Sequence, residues 1–247
     1  FKDVTFSYPK GEEAVLKNID FSCHKGQKIA VIGSTGSGKS TLVKLMNRFY
    51  DVSRGSIEIN GVDIRKYNLE SLRTQIGYVA QKAHMFKGSI RSNICFGKPE
   101  ASKEEMVHAA TVAQASDFIS TREHGYEDEI AEDGTNISGG QKQRLSIARV
   151  ILKKPSLYIY DDSFSALDFK TDATLRKALK PEVKNAIFFV VAQRISTIMD
   201  SDMIIVLDEG QIIGMGTHAQ LLKDCSVYQE IAHSQLTQKE LDDYERN

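Results

Sequence analysis

The sequence lacks several features that would direct it to particular classes of protein. Its three cysteines, Cys23, Cys95 and Cys225, are far apart in the chain, which argues against a disulfide framework and a cysteine-based metal site. No apolar run approaches the ~18 residues that a membrane-spanning helix needs. The formal net charge is −1, so the chain has no electrostatic attraction to nucleic acid or to an anionic membrane. Neither Met nor a signal-like segment stands at the start, which is Phe1, and we expect a piece of a longer protein.

What the sequence does contain is a phosphate-binding loop, residues 33–40, which matches G-x-x-x-x-G-K-[ST] at every required position. The apolar run at residues 28–32 predicts a buried strand before the loop, and residues 41–46 predict a helix after it. Between a strand and a helix N-terminus, backbone N–H groups and the helix dipole favour an anion. We therefore predict a nucleoside triphosphate site, in which Lys39 reaches the β- and γ-phosphates and the Ser40 hydroxyl binds Mg²⁺. The nucleotide-binding residues predicted here are Gly33, Ser34, Thr35, Gly36, Ser37, Gly38, Lys39, Ser40 and Thr41.

The pattern along the chain predicts an α/β fold in one domain, residues 1–247. The first part is rich in short strands, with a turn at Arg54-Gly55 and a hairpin at Asn60-Gly61, and indicates an antiparallel β-subdomain. From about Lys82 to Lys153 the pattern is mainly helical and indicates an inserted helical subdomain. The predicted helices include one opened by a capping box at Ser102–Glu105, one over residues 138–153 and one over residues 171–180. Buried parallel strands are predicted at residues 157–160, 187–191 and 203–207. A polar tail after His233 predicts a loose or frayed helix.

Two acids, Asp161 and Asp162, directly follow the predicted strand at residues 157–160. In phosphate-loop proteins a strand beside the loop strand delivers a carboxylate to Mg²⁺, and Asp161 is the candidate. An aspartate after a strand is also common as a turn or helix-cap residue, so this assignment depends on the phosphate-binding loop.

The segment from Asn136 to Arg144 reads N-I-S-G-G-Q-K-Q-R. On physical grounds alone, a serine and two glycines at a helix start form a cap or a second anion site. The segment resembles the signature of ATP-binding-cassette proteins, and the resemblance covers essentially the whole chain. It implies a phosphate-loop NTPase (RecA-like) core with a mostly parallel sheet. It also implies a head-to-tail dimer, in which each ATP lies between the phosphate-binding loop of one chain and the signature of the other. The signature residues are Ser138, Gly139, Gly140 and Gln141.

Other positions match the same family in its order. Tyr8 resembles the aromatic residue that stacks on adenine, although a core aromatic is the alternative interpretation. Gln81 resembles the glutamine that contacts Mg²⁺ and the attacking water, although an exposed amide at a strand end is the alternative. Residues 165–168 resemble the D-loop, which ends at Asp168. Segments at residues 48–57 and 129–134 resemble exporters, which implies a transmembrane domain as partner and a place at the cytoplasmic face of the membrane.

Two positions depart from an active cassette. The family has a glutamate as general base where this chain has Asp162, and a switch histidine where it has Gln193. The aspartate carboxylate is one methylene closer to the backbone, and a misplacement of about 1 Å can cost on the order of 10²-fold in rate. A glutamine can donate to the γ-phosphate but cannot carry a proton. The combination resembles the degenerate half of heterodimeric exporters, which implies slow hydrolysis here and a partner cassette with a competent base. A homodimer with two slow sites, and a regulatory module that ATP clamps without hydrolysis, are the alternatives.

The stretch His84-Met85-Phe86 is apolar where the family receives the membrane domain. Docking of that domain and ordinary core packing are both open interpretations. A soluble cassette protein of DNA repair or translation is a third class of function. The neutral charge and the single cassette argue against it, and we expect no nucleic-acid partner.

Overall fold

A computed structural model describes residues 1–11 and 13–236. Within them, thirteen strands are numbered in chain order: β1 (Lys2–Phe6), β2 (Leu16–Ile19), β3 (Lys28–Gly33), β4 (Arg54–Ser56), β5 (Glu58–Ile59), β6 (Val62–Asp63), β7 (Ile76–Val79), β8 (Gly88–Ser89), β9 (Glu129–Ile130), β10 (Leu157–Asp161), β11 (Ile187–Val191), β12 (Met203–Asp208) and β13 (Gln211–Gly216). The α-helices in the same residues are α1 (Lys39–Met46), α2 (Leu69–Thr74), α3 (Ile90–Ile94), α4 (Lys103–Val112), α5 (Ser116–Ser120), α6 (Gly139–Lys153), α7 (Phe169–Glu182), α8 (Ile195–Ile198), α9 (His218–Asp224) and α10 (Ser226–Gln235). Short 3-10 helices lie at Ile64–Lys66, Cys95–Gly97, Gly125–Glu127 and Glu132–Gly134.

The chain divides into two compact units, of which the first comprises Phe1–Arg73 and the described residues from Ile187 onward. Its main sheet has the order β13-β12-β3-β11. β3 is parallel to both β12 and β11, and β13 returns antiparallel to β12. The residues of β3 from Ile29 to Ile32 are at most 1% exposed, as expected for a strand covered on both faces. The predictions of an α/β class and of a mostly parallel sheet are confirmed.

The first unit also contains the predicted antiparallel strands, because β1 pairs with β2 on one side and β4 on the other. The hairpin at Asn60-Gly61 is confirmed, with positive φ at both residues between β5 and β6. The turn predicted at Arg54-Gly55 is wrong, because both residues belong to β4. The carbonyls of β1 come so close to Gly55 that a Cβ there would collide with them, so the glycine serves close strand pairing instead of a turn.

The second unit, Thr74–Ala186, contains the parallel pair β7 and β10 together with helices α3 to α7. The helix predicted over residues 138–153 is confirmed as α6, with Ser138 as its cap and Lys154 in a left-handed conformation at its end. The predicted capping box between Ser102 and Glu105 opens α4. α7 is longer than predicted. It begins at Phe169, two residues before the predicted start, because Asp168 caps it, and its last turn accommodates Pro181.

Four elements near the end of the described chain were not predicted from the sequence, namely α8, β13, α9 and α10. Helix α9 begins with a capping box of Thr217 and Gln220. Helix α10 continues through the start of the predicted tail to Gln235, and the rest of that prediction lies outside the described residues. Among the residues that the structure describes, no helix is long and apolar enough to cross a membrane.

Candidate functional site

The phosphate-binding loop follows the buried strand β3 and leads into α1, as the sequence predicts. Gly33 is opposite Leu207 in the parallel pairing with β12, and a Cβ at Gly33 would collide with the Leu207 carbonyl oxygen. Gly38 precedes the first residue of α1 with φ of 104°, a conformation that L side chains rarely adopt. Both glycines are therefore required by the backbone path of the loop itself.

The Lys39 side chain folds back over the loop from the first turn of α1. Its Nζ donates to the carbonyl oxygens of Gly33 at 2.8 Å and Ser34 at 2.6 Å, and to the Ser37 hydroxyl at 3.3 Å. The ammonium group is thus placed within the loop that the sequence predicts to hold phosphate. Residues Ser34, Thr35 and Gly36 at the turn of the loop are exposed, whereas Ser37 and Thr41 are buried.

The turn between β12 and β13 is hydrogen-bonded to the phosphate-binding loop. The sequence did not predict this contact. The Ser34 hydroxyl donates to Asp208 Oδ1 at 3.2 Å, and the Gly210 N–H donates to the Ser37 carbonyl at 3.2 Å. The same Gly210 accepts from the Lys17 N–H at 2.8 Å. The Asp-Glu-Gly run between two apolar segments was the available signal for this hairpin.

Tyr8 lies beside the first turns of α1. Its hydroxyl is 3.0 Å from Thr41 Oγ1, and Lys44 Nζ is 5.5 Å from the ring centroid. Its ring meets Phe6 and Tyr50 edge-on, with centroids 4.9 and 5.1 Å away. The side chain is half-buried and close to the phosphate-binding loop, so its position is compatible with the predicted stacking on adenine, which stays a prediction.

Gln193 lies at the same end of the sheet as the phosphate-binding loop. Val191 of β11 pairs in parallel with Val31 of β3, and each strand leads into its functional residues within two positions. The carboxyl ends of neighbouring parallel strands lie at the same edge of a sheet. Gln193, which follows β11, is therefore at the same edge as Gly33 at the end of β3. The Gln193 side chain is exposed.

The second unit carries the two acids at the end of β10. Asp161 is buried and accepts a hydrogen bond of 3.2 Å from the Tyr78 hydroxyl on the adjacent strand β7. Burial, reinforced by the Asp161 carboxylate, raises the pKa of Tyr78 above its usual value, so the phenol stays protonated and donating. Tyr78 is a partner of the predicted Mg²⁺ ligand that the sequence did not single out.

Gln81 and Asp162 are brought together by the register of the two strands. Val79 pairs with Tyr160, and Gln81 and Asp162 are each two residues further on. Gln81 Nε2 donates to Asp162 Oδ2 at 3.0 Å. Asp162 has φ of 47°, in the left-handed region. The predicted glutamine and the predicted base are therefore direct partners in this chain.

The signature residues form the N-terminus of α6. The Ser138 hydroxyl accepts from the Gln141 N–H at 3.2 Å, and the Gln141 side chain accepts from the Ser138 N–H at 3.0 Å. This capping box leaves Ser138 and Gly139 exposed. A Cβ at Gly139 would meet no atom within 4 Å, and one at Gly140 would lie 3.4 Å from the Ala166 carbonyl oxygen of the predicted D-loop.

Asp168 is exposed at the end of that D-loop and caps α7 by accepting the Thr171 N–H at 3.0 Å. Hydrogen bonds from Thr171 lower the pKa of Asp168 below its usual value. An ionised carboxylate at a helix N-terminus is stabilised by the helix dipole.

The predicted site residues belong to both units of the chain. Tyr8, the phosphate-binding loop and Gln193 are in the first, and the residues of the second are Gln81, Asp161, Asp162, Ser138, Gly139, Gly140, Gln141 and Asp168. Each unit thus has its own set of neighbouring functional groups. That both sets serve one nucleotide stays a prediction.

Comparison with known proteins identifies the family. A family model described as ABC transporter matches residues 16–165, which is more than half of the chain. The chain belongs to the ABC transporter family. It is 45% identical over 231 residues to the ATP-binding/permease protein YgaD of Bacillus subtilis (strain 168), covering 94% of this chain and 40% of that protein. To the ATP-dependent lipid A-core flippase of Pasteurella multocida (strain Pm70) it is 41% identical over 237 residues, 96% of this chain and 41% of that one.

A solved structure agrees with this assignment. A bacterial Atm1-family ABC exporter with ATP bound superposes with a TM-score of 0.92 at 37% identity, over 95% of this chain and 41% of that one. The chain is therefore an ATP-binding domain of the ABC transporter family. It spans about 40% of the length of the curated relatives above.

Proposed function

We propose that this chain is the ATPase domain of an ABC exporter, working at the cytoplasmic face of a membrane. It binds Mg-ATP and pairs head to tail with a second nucleotide-binding domain, and hydrolysis drives export through a transmembrane domain. The proposal is supported by relatives whose names describe a lipid A-core flippase and an Atm1-family exporter. The intact phosphate-binding loop and the exposed, capped signature helix supply the two anion-binding ends that such a dimer needs.

The proposed Mg²⁺ ligands fit that ion. Ser40, Gln81 and Asp161 offer a hydroxyl, an amide and a carboxylate oxygen, which are the hard donors that Mg²⁺ prefers. Among the described residues, no group of three or more His, Cys, Asp or Glu side chains is placed to hold a metal. Mg²⁺ in nucleotide enzymes needs no such cage, since phosphates and waters complete its shell. When bound, the ion offsets the charge of the phosphoryl group being transferred.

We further propose that the chain's own ATP site is degenerate. The observation that carries this is the hydrogen bond of 3.0 Å between Gln81 Nε2 and Asp162 Oδ2. The short carboxylate is held by the glutamine that the family uses near the attacking water, and it lies one methylene closer to the backbone than a glutamate would. A general base must come within hydrogen-bond reach of the proton that it takes. Gln193 can donate to the γ-phosphate but holds no charge there.

The first test is steady-state ATP hydrolysis by the natural protein beside the double variant Asp162→Glu and Gln193→His, with ATP binding measured in both. Binding without turnover in the natural protein, and turnover in the double variant, supports the degenerate site. Comparable turnover in both means that Asp162 suffices as base and supports a homodimer of slow sites; Asp162→Asn then abolishes the activity. Binding without turnover in either supports the regulatory module.

The degenerate site requires a partner cassette that carries the glutamate and the histidine, so we propose a heterodimer. The test is isolation of the intact protein from its native membrane, followed by identification of the second cassette. A complex that contains two copies of this chain and no other cassette contradicts the heterodimer.

We also propose that the surface around Phe86 receives the transmembrane domain. Met85 is buried, whereas Phe86 is 46% exposed and Phe96 is 59% exposed. The two rings stack with centroids 4.3 Å apart, and the Arg149 guanidinium lies 5.4 and 5.7 Å from them. The stretch His84-Met85-Phe86 had two interpretations. Core packing fits Met85, which is buried, and docking of the transmembrane domain fits Phe86, which is exposed.

The docking proposal is tested by Phe86→Asp, with Phe49→Asp as the matched control. Phe49 is 49% exposed and also has an arginine, Arg73, 5.5 Å from its ring centroid. Phe86→Asp should abolish transport while ATP binding persists, and Phe49→Asp should leave transport intact. Equal loss of transport and ATP binding in Phe86→Asp would favour a purely structural ring.

A further inference from the structure

The segment that carries Gln193 begins a helix without capping it. Arg194 occupies the N-cap position of α8, and its side chain makes no capping hydrogen bond. A guanidinium has donors only, so it cannot accept the first N–H of a helix. The acceptor for this N–H is therefore either water or a group from another part of the fold.

The missing acceptor is the side chain of Gln235, in the last turn of α10. Gln235 Oε1 accepts from the Ile195 N–H at 2.8 Å, and Gln235 Nε2 donates to the Gln193 carbonyl at 2.8 Å. Arg194 between them is extended, with φ of −106° and ψ of 128°. In an extended chain, the carbonyl before a residue and the N–H after it point to the same side, so one amide pairs with both as a neighbouring strand would.

Gln235 is held in place because α10 is fastened along its length. Tyr228 and Ala232 are fully buried and lie on the same helix face as Gln235, at spacings of four and three residues. The Tyr228 hydroxyl is 2.7 Å from His218 Nδ1 of α9. Gln229 Nε2 donates to the Leu222 carbonyl at 2.6 Å. The amide of Gln235 therefore projects from a fixed support and not from a loose chain end.

We propose that Gln235 is a positioning residue for Gln193. By holding the peptide groups on both sides of Arg194, it fixes the direction in which the Gln193 side chain leaves the backbone. The inference rests on the proposed function, in which Gln193 donates to the γ-phosphate. ADP has no γ-phosphate, so the contribution of Gln235 should appear in the binding of ATP and be absent from that of ADP. Linkage also works in reverse, so ATP bound at Gln193 strengthens the hold on the end of α10.

The test is equilibrium binding of Mg-ATP and Mg-ADP to the intact protein with Gln235→Ala, Gln235→Glu and the control Gln229→Ala. Gln229 is on the same helix and also bonds backbone carbonyls, but those of residues 222 and 223 in the α9 segment. We expect Gln235→Ala to weaken ATP about 3- to 10-fold with ADP unchanged, the size of one or two net hydrogen bonds. Gln235→Glu keeps the acceptor for Ile195 but loses the donor to Gln193, and should show the same selective loss. Gln229→Ala should leave the ratio of the two affinities unchanged.

Equal weakening of ATP and ADP in both Gln235 variants, or the same change of ratio in Gln229→Ala, would overturn the proposal and leave Gln235 a merely structural residue. A Gln193→Ala variant tests the proposed role of Gln193 separately from the positioning role of Gln235. If Gln193→Ala itself leaves the ratio unchanged, the proposed role of Gln193 fails. If Gln193→Ala changes the ratio and the Gln235 variants do not, only the positioning role fails. The double variant Gln193→Ala and Gln235→Ala should lose no more than Gln193→Ala alone, because Gln235 acts through Gln193.

Discussion

Replacing Gly139 by alanine separates the local structure of the signature helix from its proposed contact with a partner's ATP. Gly139 is the first residue of α6, and it is not one of the glycines that have a positive φ. A Cβ at this position would meet no atom within 4 Å. Within this chain, alanine thus fits at position 139 without a steric clash. If the signature closes on the phosphates of an ATP held by another chain, however, the added methyl would lie between the helix and those phosphates.

The expected effect on stability is favourable. Gly→Ala at a compatible backbone conformation stabilises by about 0.4–1 kcal/mol, because the unfolded chain loses conformational freedom. For a domain of this size that corresponds to a rise in melting temperature of roughly 1–4 °C. The expected effect on function is opposite: ATP turnover by the assembled dimer should fall at least about tenfold, while ATP binding to this chain's own phosphate-binding loop is kept.

Thermal unfolding and steady-state turnover are measured on the same preparations, with Gly97→Ala as control. Gly97 also lies outside the positive-φ glycines, and a Cβ there would make only ordinary contacts, the nearest at 3.8 Å; no nucleotide role is predicted for it. Gly97→Ala should leave turnover unchanged. Full turnover in Gly139→Ala would refute the head-to-tail contact. A lower melting temperature would refute the reading of the local geometry.

Three further outcomes follow from contacts described above. Gly33→Ala should lower the melting temperature and abolish ATP binding, because its Cβ would collide with the Leu207 carbonyl; nucleotide titration with calorimetric melting checks both. Asp208→Ala should weaken ATP binding about 2- to 10-fold, because the Ser34 hydroxyl loses its acceptor; unchanged affinity would mean that this contact is dispensable. Burial lowers the pKa of His218 below its unfolded value, so the unfolded state takes up the proton first and stability should decline as the pH falls below about 6.5. His218→Asn should flatten that decline in melts recorded between about pH 5.5 and 7.5, and an identical slope would contradict the assignment.

Several features of the candidate site could be predicted from the sequence because they depend only on residues that are close together in the chain. The loop, its strand and its helix follow from one motif and its flanks, and Ser138 with Gln141 follows from capping chemistry at a spacing of three residues. The neighbouring positions of Gln81 and Asp162 needed one more step, the parallel pairing of β7 with β10. Only the structure supplies the register that makes them partners.

The contacts that the sequence did not reveal join residues that are remote in the chain. Ser34 and Asp208 are 174 positions apart, and Gln235 reaches back 40 positions to Ile195. Nothing in the local pattern of either residue shows its partner, since exposed polar side chains on turns and helix ends are ordinary. The same reason explains the error at Gly55, whose role depends on the approach of β1 and not on its own neighbours in the sequence.

The left-handed backbone at Asp162 means that the choice between aspartate and glutamate at this position also affects the stability of the fold. Aspartate and asparagine tolerate this conformation better than other side chains that have a Cβ, because their short polar groups bond locally. A glutamate at the same φ of 47° would carry more conformational strain, of the kind that catalytic residues often bear. Asp162→Glu should therefore lower the melting temperature, and the proposed degenerate site predicts that the same variant gains activity. In the proposed heterodimer, the aspartate site is thus the less strained of the two, and the competent site of the partner would allow this chain to keep the aspartate.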